Sequence, residues 1–82
     1  MAHPNERVML IAEMIERYLA ERPRAADTAS GISRFWIERE GGNDSMPNVQ
    51  QALDYLVSIK RLSRTVRADG TVIYARGDLI PE

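Results

Sequence analysis

The hydrophobic period of this chain switches from helical to alternating at Leu62, and that switch limits the fold more than any other feature. Beyond it, the runs Leu62-Ser63-Arg64-Thr65-Val66-Arg67 and Thr71-Val72-Ile73-Tyr74-Ala75-Arg76 flank Ala68-Asp69-Gly70. Asp-Gly between β-branched runs is a strong hairpin signal, because a tight turn between twisted strands needs residues that tolerate positive φ. A β-hairpin is therefore predicted over about 62–76. Two registers are open. A two-residue Asp69-Gly70 turn pairs Val66 with Ile73, whereas a three-residue loop with Gly70 left-handed pairs Val66 with Val72. The second is preferred, since it gathers Val66, Val72 and Tyr74 on one apolar face.

Before the switch the chain reads as three helices. The first is predicted over about 5–21, with Asn5 as N-cap and Glu6 in the first turn, where the helix dipole favours an anion. Val8, Ile11, Ile15 and Leu19 keep a helical period and form its core stripe. Leu10, Met14 and Tyr18 make a second apolar row, which either packs inside or forms a homodimer seam. Pro23 ends this helix, because the residue before a proline is pushed out of the helical region. After the connector Arg24-Ala25-Ala26, Asp27 or Thr28 caps a second helix predicted over about 28–39, with Ala29, Ile32, Phe35 and Trp36 on one inward face. Gly31 within it costs about 1 kcal/mol relative to alanine and often marks close approach of another helix. Glu40-Gly41-Gly42-Asn43-Asp44 is a loop by composition. Asp44 or Ser45 then caps a third helix, about 46–61, with Pro47 tolerated in its first turn. Val49, Ala52, Leu53, Leu56 and Ile59 form its core stripe, and Asn48, Gln51, Asp54, Tyr55 and Ser58 fall mainly on the other side. The tail, 77–82, is expected to dock through Leu79 and Ile80.

The class is thus α+β and mostly helical: three helices followed by a C-terminal β-hairpin, in one domain spanning 1–82. Its 82 residues leave room for one modest core, and with no cysteine there are neither disulfides nor thiolate metal sites to staple it. Helix packing or self-association must supply the stability. Glu13 interrupts the apolar run Val8 to Ala12, which is too short for a signal peptide or a membrane span. A bacterial-style cytoplasmic protein with no membrane association is the resulting expectation.

Catalytic chemistry finds no foothold in the residues. His3 is the single histidine. The Met1-Ala2-His3 spacing that binds copper through backbone amides disappears once Met1 is removed, so neither a metal nor another cofactor is expected. Glu38 and Glu40 point to different sides of a helix, and Gly41-Gly42 lacks the lysine of a phosphate loop. No catalytic residue is assigned.

Charge is unevenly spread. Residues 1–57 hold six arginines against nine acids, a net of −3, while residues 58–76 hold Lys60, Arg61, Arg64, Arg67 and Arg76 against Asp69, a net of +4. A basic end is thus attached to a mildly acidic body.

The order helix, helix, loop, helix, hairpin, with V-x-x-A-L-x-x-L from Val49 to Leu56, then Leu62 and a hairpin ending in Ile73-Tyr74, resembles the winged helix-turn-helix domain of small bacterial transcriptional regulators. The resemblance spans roughly Val8 to Arg76 and implies a homodimer that binds double-stranded DNA with a recognition helix in the major groove and a wing on the backbone or minor groove. Carried to this chain, it places Asn48, Gln50, Gln51 and Tyr55 on the recognition helix, where amide side chains match the edge of adenine. Arg64, Arg67 and Arg76 belong to the wing, Lys60 and Arg61 to the helix end, and Arg34 to a possible continuous positive strip. This chain departs from the pattern in three ways. Lys60-Arg61-Leu62 replaces the usual glycine corner, the loop from Glu40 to Met46 is long, and Asn48 to Ile59 contains no cation, although phosphate neutralisation supplies most non-specific DNA affinity. Those departures motivate the rival expectation, a protein-interaction or dimerisation module without significant DNA binding.

Overall fold

The computed structural model describes residues 5–38 and 45–77. The expected loop from Glu40 to Asp44 and the docking of Leu79 and Ile80 lie outside them, as does His3. The architecture is α+β and mostly helical, with three helices and a small three-stranded antiparallel sheet. Among the described residues, no helix is long and apolar enough to cross a membrane.

Helix α1 spans Glu6–Glu21. The Asn5 side chain accepts from the Val8 amide at 2.8 Å, satisfying one of the four N–H groups that a helix start leaves open. Val8, Ile11, Ile15 and Leu19 are all buried, as the helical period requires. The second row divides: Met14 and Tyr18 are half-buried against the core, whereas Leu10 is 46% exposed. Tyr18 lies parallel to Trp36 with ring centroids 4.7 Å apart, and the Arg22 guanidinium sits 4.9 Å from the tyrosine ring centroid.

Helix α2 opens as an α-helical turn, Ala29–Gly31, and continues as π-helix over Ile32–Ile37. Of the two open caps the structure uses Thr28, whose hydroxyl accepts from the Gly31 amide at 3.1 Å. The π segment corrects the predicted inward face. Hydrogen bonds that skip five residues turn the chain by roughly 80° per residue instead of 100°. Measured from Ile32, that winding brings Ile37 inward and swings Phe35 out. Trp36 is 2% exposed and Ile37 is buried, while Phe35 is 62% exposed. At Gly31 the Asp27 carboxylate occupies the space that a side chain would need.

Helix α3 spans Met46–Ser58 and is capped by Ser45, whose hydroxyl accepts from the Asn48 amide at 3.4 Å. Val49, Ala52, Leu53 and Leu56 are buried against α1 and α2. Burying each of the larger apolar side chains contributes about 1.5–3 kcal/mol, so this stripe is a principal source of stability. The helix stops three residues before its predicted end at 61, because the chain turns sharply at Lys60, which takes a left-handed φ of 64°. The Lys60 amide donates to the Val57 carbonyl at 3.0 Å and the Arg61 amide to the Leu56 carbonyl at 2.9 Å. This pair of bonds defines a Schellman motif, a position that ordinarily favours glycine. Ile59 sits at the cap and is 44% exposed, so it leaves the predicted core stripe.

Past the corner, β2 (Leu62–Val66) pairs with β3 (Val72–Arg76) in the preferred register, Val66 opposite Val72 and Arg64 opposite Tyr74. Gly70 takes φ +89° in the three-residue loop, which the Arg67 amide closes by donating to the Thr71 carbonyl at 2.8 Å. The apolar face does not extend the length of the hairpin. Leu62 and Tyr74 are buried beside the helices, Val72 is half-buried, and Val66, further along, is 63% exposed. Ala26, at the end of the expected connector, and Asp27, one of the two expected caps, instead form a strand that completes the sheet: β1 (Ala26–Asp27) pairs antiparallel with β3, giving the order β1-β3-β2. Two residues carry too little alternation to be read as a strand, and only the partner strand reveals them.

The cost of a left-handed non-glycine residue sets a sign for one substitution. Lys60→Gly is expected to stabilise the fold by about 0.5–1 kcal/mol, since it relieves the Cβ penalty and loses only a small helix-dipole contribution. A higher midpoint in urea unfolding with unchanged slope checks this, and a lower midpoint would show that the lysine side chain itself holds the corner.

Candidate nucleic-acid interface

The residues expected on the recognition helix do not share one environment. Gln51, Asp54 and Ser58 are exposed, whereas Asn48, Gln50 and Tyr55 are half-buried. Tyr55 packs against the core cluster, and the Leu56 beside it is fully buried, so the outward aromatic contact expected of Tyr55 is reduced to the exposed part of its ring.

Gln50 has a structural task that the sequence did not disclose. Its Nε2 donates to the Asp54 carboxylate at 3.0 Å, one helical turn on, and to the Tyr74 hydroxyl at 2.9 Å on β3. A carboxylate only accepts, so the amide orientation follows from the chemistry. Both amide donors are engaged, and a bidentate contact to adenine needs a donor and an acceptor together. In this arrangement Gln50 fastens the hairpin to α3, and Gln51 and the half-buried Asn48 are the other amides on that part of the helix. The i, i+4 spacing of Gln50 and Asp54 was a readable signal for half of this link. The Tyr74 half was hidden, because nothing in the sequence aligns position 74 with position 50.

The five cations of the basic segment separate into two groups along the hairpin. Lys60, Arg61 and Arg76 gather at its base, beside Glu16 of α1, around a cavity of about 310 Å³. Arg61 is bridged to Glu16 at 3.5 Å. Exposed pairs of this kind contribute about 0–1 kcal/mol. Arg64 and Arg67 are exposed farther out, Arg64 opposite the buried Tyr74 and Arg67 closing the loop. Four strand steps between Leu62 and Val66 put roughly 13 Å between base and tip. The tip also carries an acid. Asp69 accepts from the Thr71 amide at 2.9 Å, and that amide foremost, with the Thr71 hydroxyl next, holds its carboxyl below the usual carboxylate range. Ionised at neutral pH like any ordinary aspartate, it offsets part of the positive charge of Arg67. Arg34 stands elsewhere, exposed on the π segment of α2 with its guanidinium 5.9 Å from the Phe35 ring centroid.

Of the seam residues, Leu10 alone keeps a large exposed apolar area, with Glu6, Met9 and Glu13 around it. No group of three or more metal-ligating side chains occurs among the described residues.

The link between helix and hairpin is open to a double-mutant cycle. Gln50→Ala, Tyr74→Phe and the double variant are expected to show a coupling of about 1 kcal/mol in denaturant unfolding. Strict additivity would mean that the Gln50–Tyr74 contact contributes nothing in solution.

Comparison with known proteins supplies no relative from which a role could be carried over: no protein-family model matches this chain, and neither does any curated protein or solved structure.

Proposed function

We propose that this protein is a winged helix-turn-helix DNA-binding protein, acting in transcriptional regulation in the cytoplasm as a homodimer. The observation that carries the reading is the attachment of a cationic hairpin to a polar helix face. α3 presents Gln51, Asp54 and Ser58 to solvent, and Arg64 and Arg67 are exposed on β2 and the loop after it. The antiparallel hairpin of β2 and β3, following a helix that exposes Gln51, suits insertion of α3 into a major groove, with the hairpin on the adjacent backbone. The helix itself brings no cation, so the affinity must come from the hairpin and from doubling it in a dimer. Leu10 supplies the exposed apolar contact for that dimer on α1, with Met14 and Tyr18 behind it.

One specific observation favours a second reading, a module that binds another protein. Phe35 is expelled to the surface by the π winding of α2, and its exposed ring is a stronger anchor for a protein than for duplex DNA.

Fluorescence anisotropy on labelled duplex DNA across a salt series separates the two. DNA binding through the wing requires affinity that falls steeply with salt and drops by about tenfold or more in the Arg64→Glu, Arg67→Glu double variant. Absence of binding at low salt by the folded protein would move the assignment to the protein-binding reading. Sedimentation tests the seam: Leu10→Glu is expected to shift a dimer to monomer, and an unchanged sedimentation coefficient would remove Leu10 from the interface.

A further inference from the structure

The base of the hairpin brings three cations together. Lys60 and Arg61 come from the α3–β2 corner, Arg76 from the end of β3, and all line one cavity of about 310 Å³ with Glu16 as the acid. Its apolar wall is Leu19 and Ala20 of α1. This volume lies at the lower end of the range for small-ligand sites, which typically hold a few convergent polar groups against an apolar wall. The corner that presents the cations is stiff. The Gly77 amide donates to the Arg61 carbonyl at 3.0 Å, and the Lys60 carbonyl stands where a side chain on Gly77 would go. A lysine also occupies a left-handed position that ordinarily favours glycine, which places a cationic side chain at the corner.

We propose that this cavity is a binding site for a small organic oxyanion, of the phosphomonoester or carboxylate kind, with a short apolar portion. The oxyanion sits among Lys60, Arg61 and Arg76, and the apolar portion lies on Leu19 and Ala20. In the free protein Glu16 neutralises Arg61 at 3.5 Å, and the ligand competes with that carboxylate for the guanidinium. The site is set back by roughly 13 Å of strand from Val66, beyond which Arg67 closes the loop. It is therefore independent of the DNA-binding reading and would survive its failure.

Phenyl phosphate is a suitable probe, with inorganic phosphate as the control that lacks an apolar part, followed by backbone amide shifts. The expected result is saturable shifts at Leu19, Ala20, Lys60, Arg61 and Gly77, with phenyl phosphate binding more tightly than phosphate. Lys60→Gly, which is expected to fold more stably than the parent, should weaken binding by about threefold or more, and Glu16→Gln should tighten it by a similar factor. A merely structural lysine gives a different pattern, a stability change with unaltered binding. Shifts that rise linearly and include Arg64 and Arg67 equally would mark non-specific screening and overturn the proposal. So would displacement of phenyl phosphate by duplex DNA at stoichiometric concentration, which would assign these cations to a nucleic-acid backbone.

Discussion

The turn at Lys60 is the constraint on which the rest of the molecule depends. α3 must end abruptly enough for Leu62, the second residue after Lys60, to enter the core, and the Schellman bonds to Val57 and Leu56 achieve this in one left-handed step. Because Leu62 is buried there, β2 starts in a fixed register. Tyr74 on β3 then falls where it can reach Gln50 on α3, and β3 is left with one edge on which β1 pairs. Helix, corner and sheet are thus one mechanical unit, closed at the base by Gly77 on Arg61. Movement at the corner would release the buried hydroxyl, the register and the placement of every cation in the segment.

Most of this unit could be read from the residues, and the failures have physical causes. Asn5, Ser45 and the apolar stripe of α1 followed from capping and period, and the hairpin register followed from Gly70 and the wish to keep Val72 and Tyr74 together. The inward face expected of α2 holds only for α winding. The π segment rotates Phe35 out and Ile37 in, and no single residue announces that change. Ile59 and Val66 were placed inward by period alone, although one lies at a helix cap and the other beyond the reach of the helices. The candidate site was legible as a set of cations and amides. Its division was not, because the grouping of Lys60, Arg61 and Arg76 with Glu16 depends on a contact with α1 that spans most of the chain.

The charge distribution now has a shape as well as a sum. The net of +4 over residues 58–76 divides into three cations lining the cavity at the hairpin base and an exposed pair, Arg64 and Arg67, farther along the hairpin. In the base group Glu16 is bridged to Arg61, and at the tip Asp69, its carboxyl held below the usual range by its bonds to Thr71, offsets part of the charge of Arg67. Arg64 and Arg67 are exposed along the outer hairpin, and Lys60 and Arg61 are exposed at its base. That arrangement relies on position more than on total charge, and it accounts for a DNA-binding reading in a chain whose overall net charge is only −1.

Mapping backbone amide shifts on addition of an unlabelled DNA duplex addresses that reading most directly, because it reports place as well as affinity. Binding by the α3 face and the outer hairpin would perturb Asn48 to Gln51 together with Arg64 to Arg67, and leave Lys60 and Gly77 nearly unmoved. Perturbation confined to the base of the hairpin, or no perturbation at low salt, would contradict it.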